Sequence, residues 1–204
     1  MIGHPLGVPG LTVGLLGGSF DPPHEGHVHI TKQAIKAFNL SRIWWLVSPG
    51  NPLKEREPQT ISKRFKASRK IMQHPAVTIT NIESSLRSRF TAETIYKLQH
   101  IYPGVKFVWL MGADNLEQIP RWARWARIFQ TVHVAVFDRS PYSHKVLYGR
   151  ASKRFARRRL QALHGKAFWA TKDSRWIYFS QRRHPASSTG IRRGGMLSSI
   201  INSY

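Results

Sequence analysis

Six short apolar runs, each ending at a turn or breaker and separated by stretches of helix length, constrain this chain more than any other feature. Residues 11–17, 42–48, 105–111, 131–137 and 176–179 are almost continuously apolar over strand length, and the shorter 77–81 alternates Val and Ile with Thr, as expected of strands in a covered sheet. Between them, residues 27–38, 61–74 and 91–102 space their apolar side chains for one helical face; Val28, Ile30, Ala34, Ile35 and Phe38 form such a stripe. A short helical stretch and a Trp-rich piece, 121–129, follow the fourth run, and residues 188–201 open a final helix. Strands alternating with helices predict an α/β domain with a parallel sheet covered on both sides. In such sheets ligands bind beyond the C-terminal ends of the strands, so the residues just after each strand carry the functional information.

The charge is extreme. Of 204 residues, 32 are Lys or Arg and 10 Asp or Glu, a formal net charge of +22. A 41% apolar content is enough to build a core, which excludes a disordered basic tail. The charge points to anionic partners. There is no cysteine, hence no disulfide framework or Cys-ligated zinc, which suits a cytoplasmic protein. No run reaches the roughly 18 apolar residues of a membrane span. The first nine residues contain two prolines and no Lys or Arg, unlike a signal peptide. Residues 1–204 read as a single domain with a basic surface insert at about 139–172. In that segment residues 152–164 are expected to form a basic helix, with Phe155, Leu160 and Leu163 as its thin apolar side. A solvated surface is its simpler reading, a nucleic-acid patch the sharper one.

The turn after the first strand, Leu16-Gly-Gly-Ser-Phe-Asp-Pro-Pro-His-Glu-Gly-His27, is the most informative string. Gly17 and Gly18 allow close backbone approach to a ligand. Exposed N–H groups at the following helix start make a phosphate-sized anion site. His24 and His27, three apart, project to one side and can donate to phosphate oxygens as charge shifts in a transition state. The bland reading is a tight turn with Asp21 capping the helix and two surface histidines. A second phosphate-binding turn is legible at Ala186-Ser-Ser-Thr-Gly-Ile-Arg192, where hydroxyls, N–H groups at a helix start and an arginine a turn later suit a polyphosphate. Ser-Ser-Thr alone would be an ordinary helix cap.

The first string resembles the Gly-Gly-Thr-Phe-Asp-Pro-x-His-x-Gly-His signature of the nucleotidylyltransferase superfamily, with Ser19 in place of Thr. The second resembles that superfamily's Ile-Ser-Ser-Thr-x-Ile-Arg motif, with Ala186 in place of Ile. The segments between, 48–54, 89–94, 110–116 and 119–122, are similar to bacterial nicotinate-nucleotide adenylyltransferases. The resemblance implies a Rossmann-like sheet of nucleotidylyltransferase type with a small C-terminal helical annex. It implies that His24, His27 and Arg192 carry the chemistry at the phosphates. ATP would be held by Gly17, Gly18, Ser19, Phe20, Gly112, Asp114, Ser187, Ser188 and Thr189. Nicotinate mononucleotide would be held by Lys54, Thr91, Trp122 and Arg139, with Phe90 standing where relatives have Tyr. Trp125 reads as core, whereas Arg64 and Arg182-Arg183-His184 read as solvated cations.

The implied reaction joins ATP and nicotinate mononucleotide into the dinucleotide and releases pyrophosphate. Mg²⁺ is expected on the ATP phosphates, held mainly by substrate and water, with no metal cluster on the protein. The alternatives are another nucleotidylyltransferase, acting on nicotinamide mononucleotide or phosphopantetheine, or a basic nucleic-acid-binding protein. The latter leaves both phosphate turns unexplained, so nucleic acid is not the expected partner. The sequence leaves the oligomeric state open.

Overall fold

The computed structural model describes residues 4–49, 58–138, 143–161 and 168–180. The apolar runs are strands: β1 (Thr12–Gly18), β2 (Arg42–Val47), β3 (Val77–Thr80), β4 (Lys106–Gly112) and β5 (His133–Phe137). The helices between them are α1 (Glu25–Phe38), α2 (Ile61–Ile71), a single turn α3 (Ile82–Ser85), α4 (Thr91–Ile101), α5 (Ala113–Gln118) and α6 (Trp125–Thr131). After β5 come α7 (Arg150–Arg154), β6 (Arg159–Leu160) and β7 (Trp176–Phe179). The expected helix at 188–201, and with it the C-terminal annex, lies outside the described residues.

Every strand pairing is parallel, and the sheet order is β3-β2-β1-β4-β5-β7-β6. The chain winds outward from β1 to β3, crosses back to β4, and winds the other way, so the strand order reverses between β1 and β4. This is the doubly wound, Rossmann-like arrangement, and its crevice opens at the C-terminal ends of those two strands. One face packs α1 and α2 through Val28, Ile30, Ala34, Phe38 and Phe65. The other packs α3 to α7 through Ile82, Ile95, Leu98, Leu116, Trp125, Ile128, Phe129 and Phe155. Trp125 is core, as its helical spacing implied.

Residues 152–164 depart from the expected basic helix. Helix α7 stops at Arg154, and the Phe155 carbonyl accepts the Trp176 Nε1–H at 2.8 Å. The chain then extends so that Arg159 and Leu160 add a short strand to the edge of β7. Burial of Phe155 between Trp125 and Phe129 wins over continued helix. Leu163 lies outside the described residues. Several cations here lie on protein rather than facing outward alone: Arg154 sits over Trp125 and Arg159 over Trp176, while Arg158 donates to the Phe129 carbonyl and to Ser174 Oγ. Long cationic stems over aromatic faces are a packing device.

Gly17 has a packing role as well as its place in the turn. A Cβ there would stand 2.3 Å from the Trp109 ring, and Trp109 is buried in the core on the face that packs α3 to α7. At Gly18 an added Cβ would meet the Phe20 ring at an ordinary 3.4 Å. Gly17→Ala is therefore expected to destabilise the protein by roughly 1–3 kcal/mol through overpacking, read as a lower denaturant midpoint. Gly18→Ala should melt close to the native protein.

Candidate active site

The β1–α1 turn enters the crevice and turns into α1 at His24, the residue that caps the helix. Asp21, the cap of the bland reading, stands too early. Pro22 and Pro23 follow it and lack the N–H groups that a cap must receive. The two histidines form a reciprocal cap instead. The Gly26 N–H donates to His24 Nδ1 at 3.1 Å, and the His24 N–H donates to His27 Nδ1 at 3.2 Å. Both rings thus use Nδ1 as an acceptor, so each neutral imidazole carries its proton on Nε2. The ring centroids are 3.9 Å apart, with relative exposures of 3% and 8%. Two donors of one kind therefore sit side by side at the positive end of α1, an arrangement suited to anionic oxygens.

An aromatic floor supports the pair. Phe20 stacks on Trp45 at 4.8 Å and meets His27 at 4.7 Å, and Trp45 Nε1–H is held by Thr31 Oγ1 at 2.8 Å. The Phe20 ring is 1% exposed, so it is the backbone of Phe20, not its ring, that can serve a nucleotide. Ser19 is half-buried in the same turn.

Arg64, read from sequence as a solvated cation, is instead 2% exposed. It donates to the carbonyls of Ser19, Ser48, Pro49 and Gln59. Burial lowers its pKa, and the charge of Asp21 opposes that shift. Nothing in a helix already rich in Lys and Arg distinguishes this position; only tertiary packing does.

On the neighbouring strand, Gly112 ends β4 and caps α5. Asp114 follows, exposed, in the first turn of α5. Since β1 and β4 are paired with Leu16 opposite Leu110, Gly112 and the β1–α1 turn stand at the same end of adjacent strands. Thr91 begins α4, directly after the exposed Phe90. Trp122 ends the short 3-10 turn Ile119–Arg121, half-buried against the α4–α6 core. The loop before Thr91 is held by a buried polar cluster: Ser88 Oγ and Thr94 Oγ1 lie 2.9 Å apart, and Thr94 Oγ1 donates to Glu83 Oε1 at 3.3 Å. Burial pushes the Glu83 carboxyl up to about 7, against the Thr94 hydrogen bond that lowers it. No sequence signal marked this cluster. Lys54, Arg139, Ser187, Ser188, Thr189 and Arg192 all lie outside the described residues, as do Arg182, Arg183 and His184. Among the described residues no group of three or more His, Cys, Asp or Glu is placed to hold a metal ion.

A family model described as cytidylyltransferase-like matches residues 15–194. A protein of Cereibacter sphaeroides (strain ATCC 17023) named probable nicotinate-nucleotide adenylyltransferase is 47% identical over 185 residues, 91% of this chain and 98% of its own. A Ruegeria pomeroyi protein of the same name is 45% identical over 193 residues, covering 95% of this chain and 91% of its own. The chain belongs to this adenylyltransferase family. Its fold is also that of the Plasmodium falciparum nicotinic acid mononucleotide adenylyltransferase solved with NaAD. The two align with a TM-score of 0.65 at 14% identity, covering 90% of this chain and 83% of that one. No described helix is long and apolar enough to cross a membrane.

Proposed function

We infer that this adenylyltransferase moves the AMP group of ATP onto nicotinate mononucleotide, giving nicotinate adenine dinucleotide and pyrophosphate, a step of NAD biosynthesis. The observation that carries this reading is the paired, Nδ1-anchored imidazoles at the strand-order reversal, in a chain 45–49% identical to named relatives over most of its length.

In the mechanism we propose, a phosphate oxygen of the mononucleotide attacks the α-phosphorus of ATP in line. The new P–O bond forms as the bond from the α-phosphorus to its bridging oxygen breaks, and pyrophosphate leaves with that electron pair. The attacking phosphate is already ionised near pH 7, so no general base is needed and no covalent enzyme intermediate forms. The protein positions two anions and stabilises charge as it moves. His24 and His27 do this through Nε2–H donation, and Arg192 adds charge at the leaving group. The turn Gly17–Phe20 and the segment Ser187, Ser188 and Thr189 hold the triphosphate, while Gly112 and Asp114 meet the ribose and base. ATP enters as its Mg²⁺ complex, the metal held by phosphate oxygens and water. Lys54, Thr91, Trp122 and Arg139 receive the mononucleotide. We read residues 1–204 as one catalytic unit, with 139–172 as an insert on it, acting in the cytoplasm.

The test is pyrophosphate release from ATP with nicotinate mononucleotide, nicotinamide mononucleotide or phosphopantetheine offered in parallel. The reading expects turnover with the first and little with the others. Preference for phosphopantetheine would overturn it. Trp122 makes a second, narrower test. If its face carries the pyridine ring, Trp122→Ala loses roughly 1–3 kcal/mol of stacking, expected as a rise in the mononucleotide KM of about five- to 150-fold with the ATP KM little changed. An equal rise in both would assign Trp122 to packing.

A further inference from the structure

Arg64 holds three separate pieces of backbone with one guanidinium. Nη1 donates to the Ser19 carbonyl at 2.6 Å and to the Ser48 carbonyl at 2.8 Å. Nε donates to Gln59 at 2.6 Å, and Nη2 to Pro49 at 3.3 Å. Ser19 belongs to the β1–α1 turn, Ser48 follows β2, and Gln59 precedes α2. The four hydrogen-bond acceptors of Arg64 named above are carbonyl dipoles, and the charge of Asp21 also acts on the cation. Burying a guanidinium is unfavourable, whereas an apolar side chain would seat α2 on the sheet without that penalty. The charge and the fork therefore have a use beyond packing.

The local geometry indicates what that use is. In a trans peptide the carbonyl of one residue and the N–H of the next point in opposite directions. Drawing the Ser19 carbonyl onto Arg64 therefore aims the Phe20 N–H away from it. Phe20 sits at φ 45°, in the left-handed region that a non-glycine residue enters only when its surroundings hold it there. The Phe20 ring is pinned by Trp45, and the peptide before it by Arg64. A carbonyl turned toward a triphosphate would repel it, whereas an N–H attracts it.

We propose that Arg64 is a positioning residue for ATP: by holding the Ser19 carbonyl, with the Ser48 carbonyl after β2 as its second anchor, it makes the β1–α1 turn present the Phe20 N–H, rather than an oxygen, to the phosphates. The proposal rests on the function inferred above. It predicts that a cation alone is insufficient. Lysine keeps the charge but lacks the planar fork that reaches several carbonyls at once.

Arg64→Lys and Arg64→Met are to be compared with the native enzyme by circular dichroism, thermal melting with and without MgATP, and pyrophosphate-release kinetics. The expected result is cooperative melting for both variants, an ATP KM raised tenfold or more in Lys and further in Met, a reduced kcat, and a mononucleotide KM changed less than threefold. The ATP-induced rise in Tm should shrink in both. An ATP KM within twofold of native in a folded variant would overturn the proposal. So would activity that falls only in proportion to the folded fraction, or failure of both variants to fold, since Arg64 would then serve the fold alone. Absence of pyrophosphate release from the native enzyme would instead count against the inferred reaction, while the ATP-dependent Tm shift would still report on Arg64.

Discussion

His27→Ala is expected to leave a folded protein whose adenylyl transfer is slower by about a hundredfold or more, the size of effect seen when one donor to a developing charge is removed. The fold should feel the change as well, because His27 Nδ1 accepts the His24 N–H, and losing such a cap costs about 1 kcal/mol. Two readouts keep these effects apart. A melting curve reports the cap, and kcat at saturating substrates reports the donor. His27→Gln sharpens the test, since its amide can place an N–H near the position of Nε2–H. It should recover part of the lost rate where Ala does not. Near-native turnover in His27→Ala would remove this residue from the chemistry.

Replacing Glu83 by Gln should stabilise the protein at alkaline pH and change it little near pH 4. The carboxyl's folded value is about 7 against an ordinary 4.5, and the cause is burial. A carboxyl raised in this way favours the folded state while it is protonated. Its contribution is complete below about 4.5, declines as pH rises, and is gone above about 7. The shift corresponds to roughly 3 kcal/mol across that window. Denaturant melts at pH 4.5 and pH 8 should therefore show a steeper alkaline loss in the native protein than in Glu83→Gln. His133 acts in the opposite sense. Its folded value is lowered to about 4, chiefly by burial, so its contribution is full above about 6.5 and is lost as pH falls toward 4. Since His133 is present in both proteins, the difference between their profiles isolates Glu83. Parallel profiles would place the Glu83 carboxylate in a more polar setting than its Ser88–Thr94 cluster provides.

The described strands other than β6 were legible because a doubly covered parallel sheet needs apolar runs, and β1, β2 and β4 carry them almost without a break; β6 falls where a basic helix was expected. The histidine pair was legible for a similar reason: a spacing of three at a helix start leaves the rings few other places to go, and they lie 3.9 Å apart. What stayed hidden depends on partners distant in sequence. Arg64 and Ser19 are 45 residues apart, and a cation between other cations looks like surface until the loops converge on it. Gly17 read as room for a ligand, yet its small size also makes way for Trp109, a residue on another strand. The break at Phe155 likewise follows from its burial against Trp125 and Phe129, with Trp176, 21 residues later, bonded to its carbonyl, and no local preference encodes it.

Because each imidazole at the head of α1 anchors the backbone through one nitrogen, the other is fixed as a hydrogen donor by the same bonding. Inhibitors built for this bend should accordingly carry a pair of acceptor oxygens at close spacing, as phosphonates and sulfonates do. Amine or amidine heads, which offer hydrogens where the rings already offer theirs, would be mismatched from the outset.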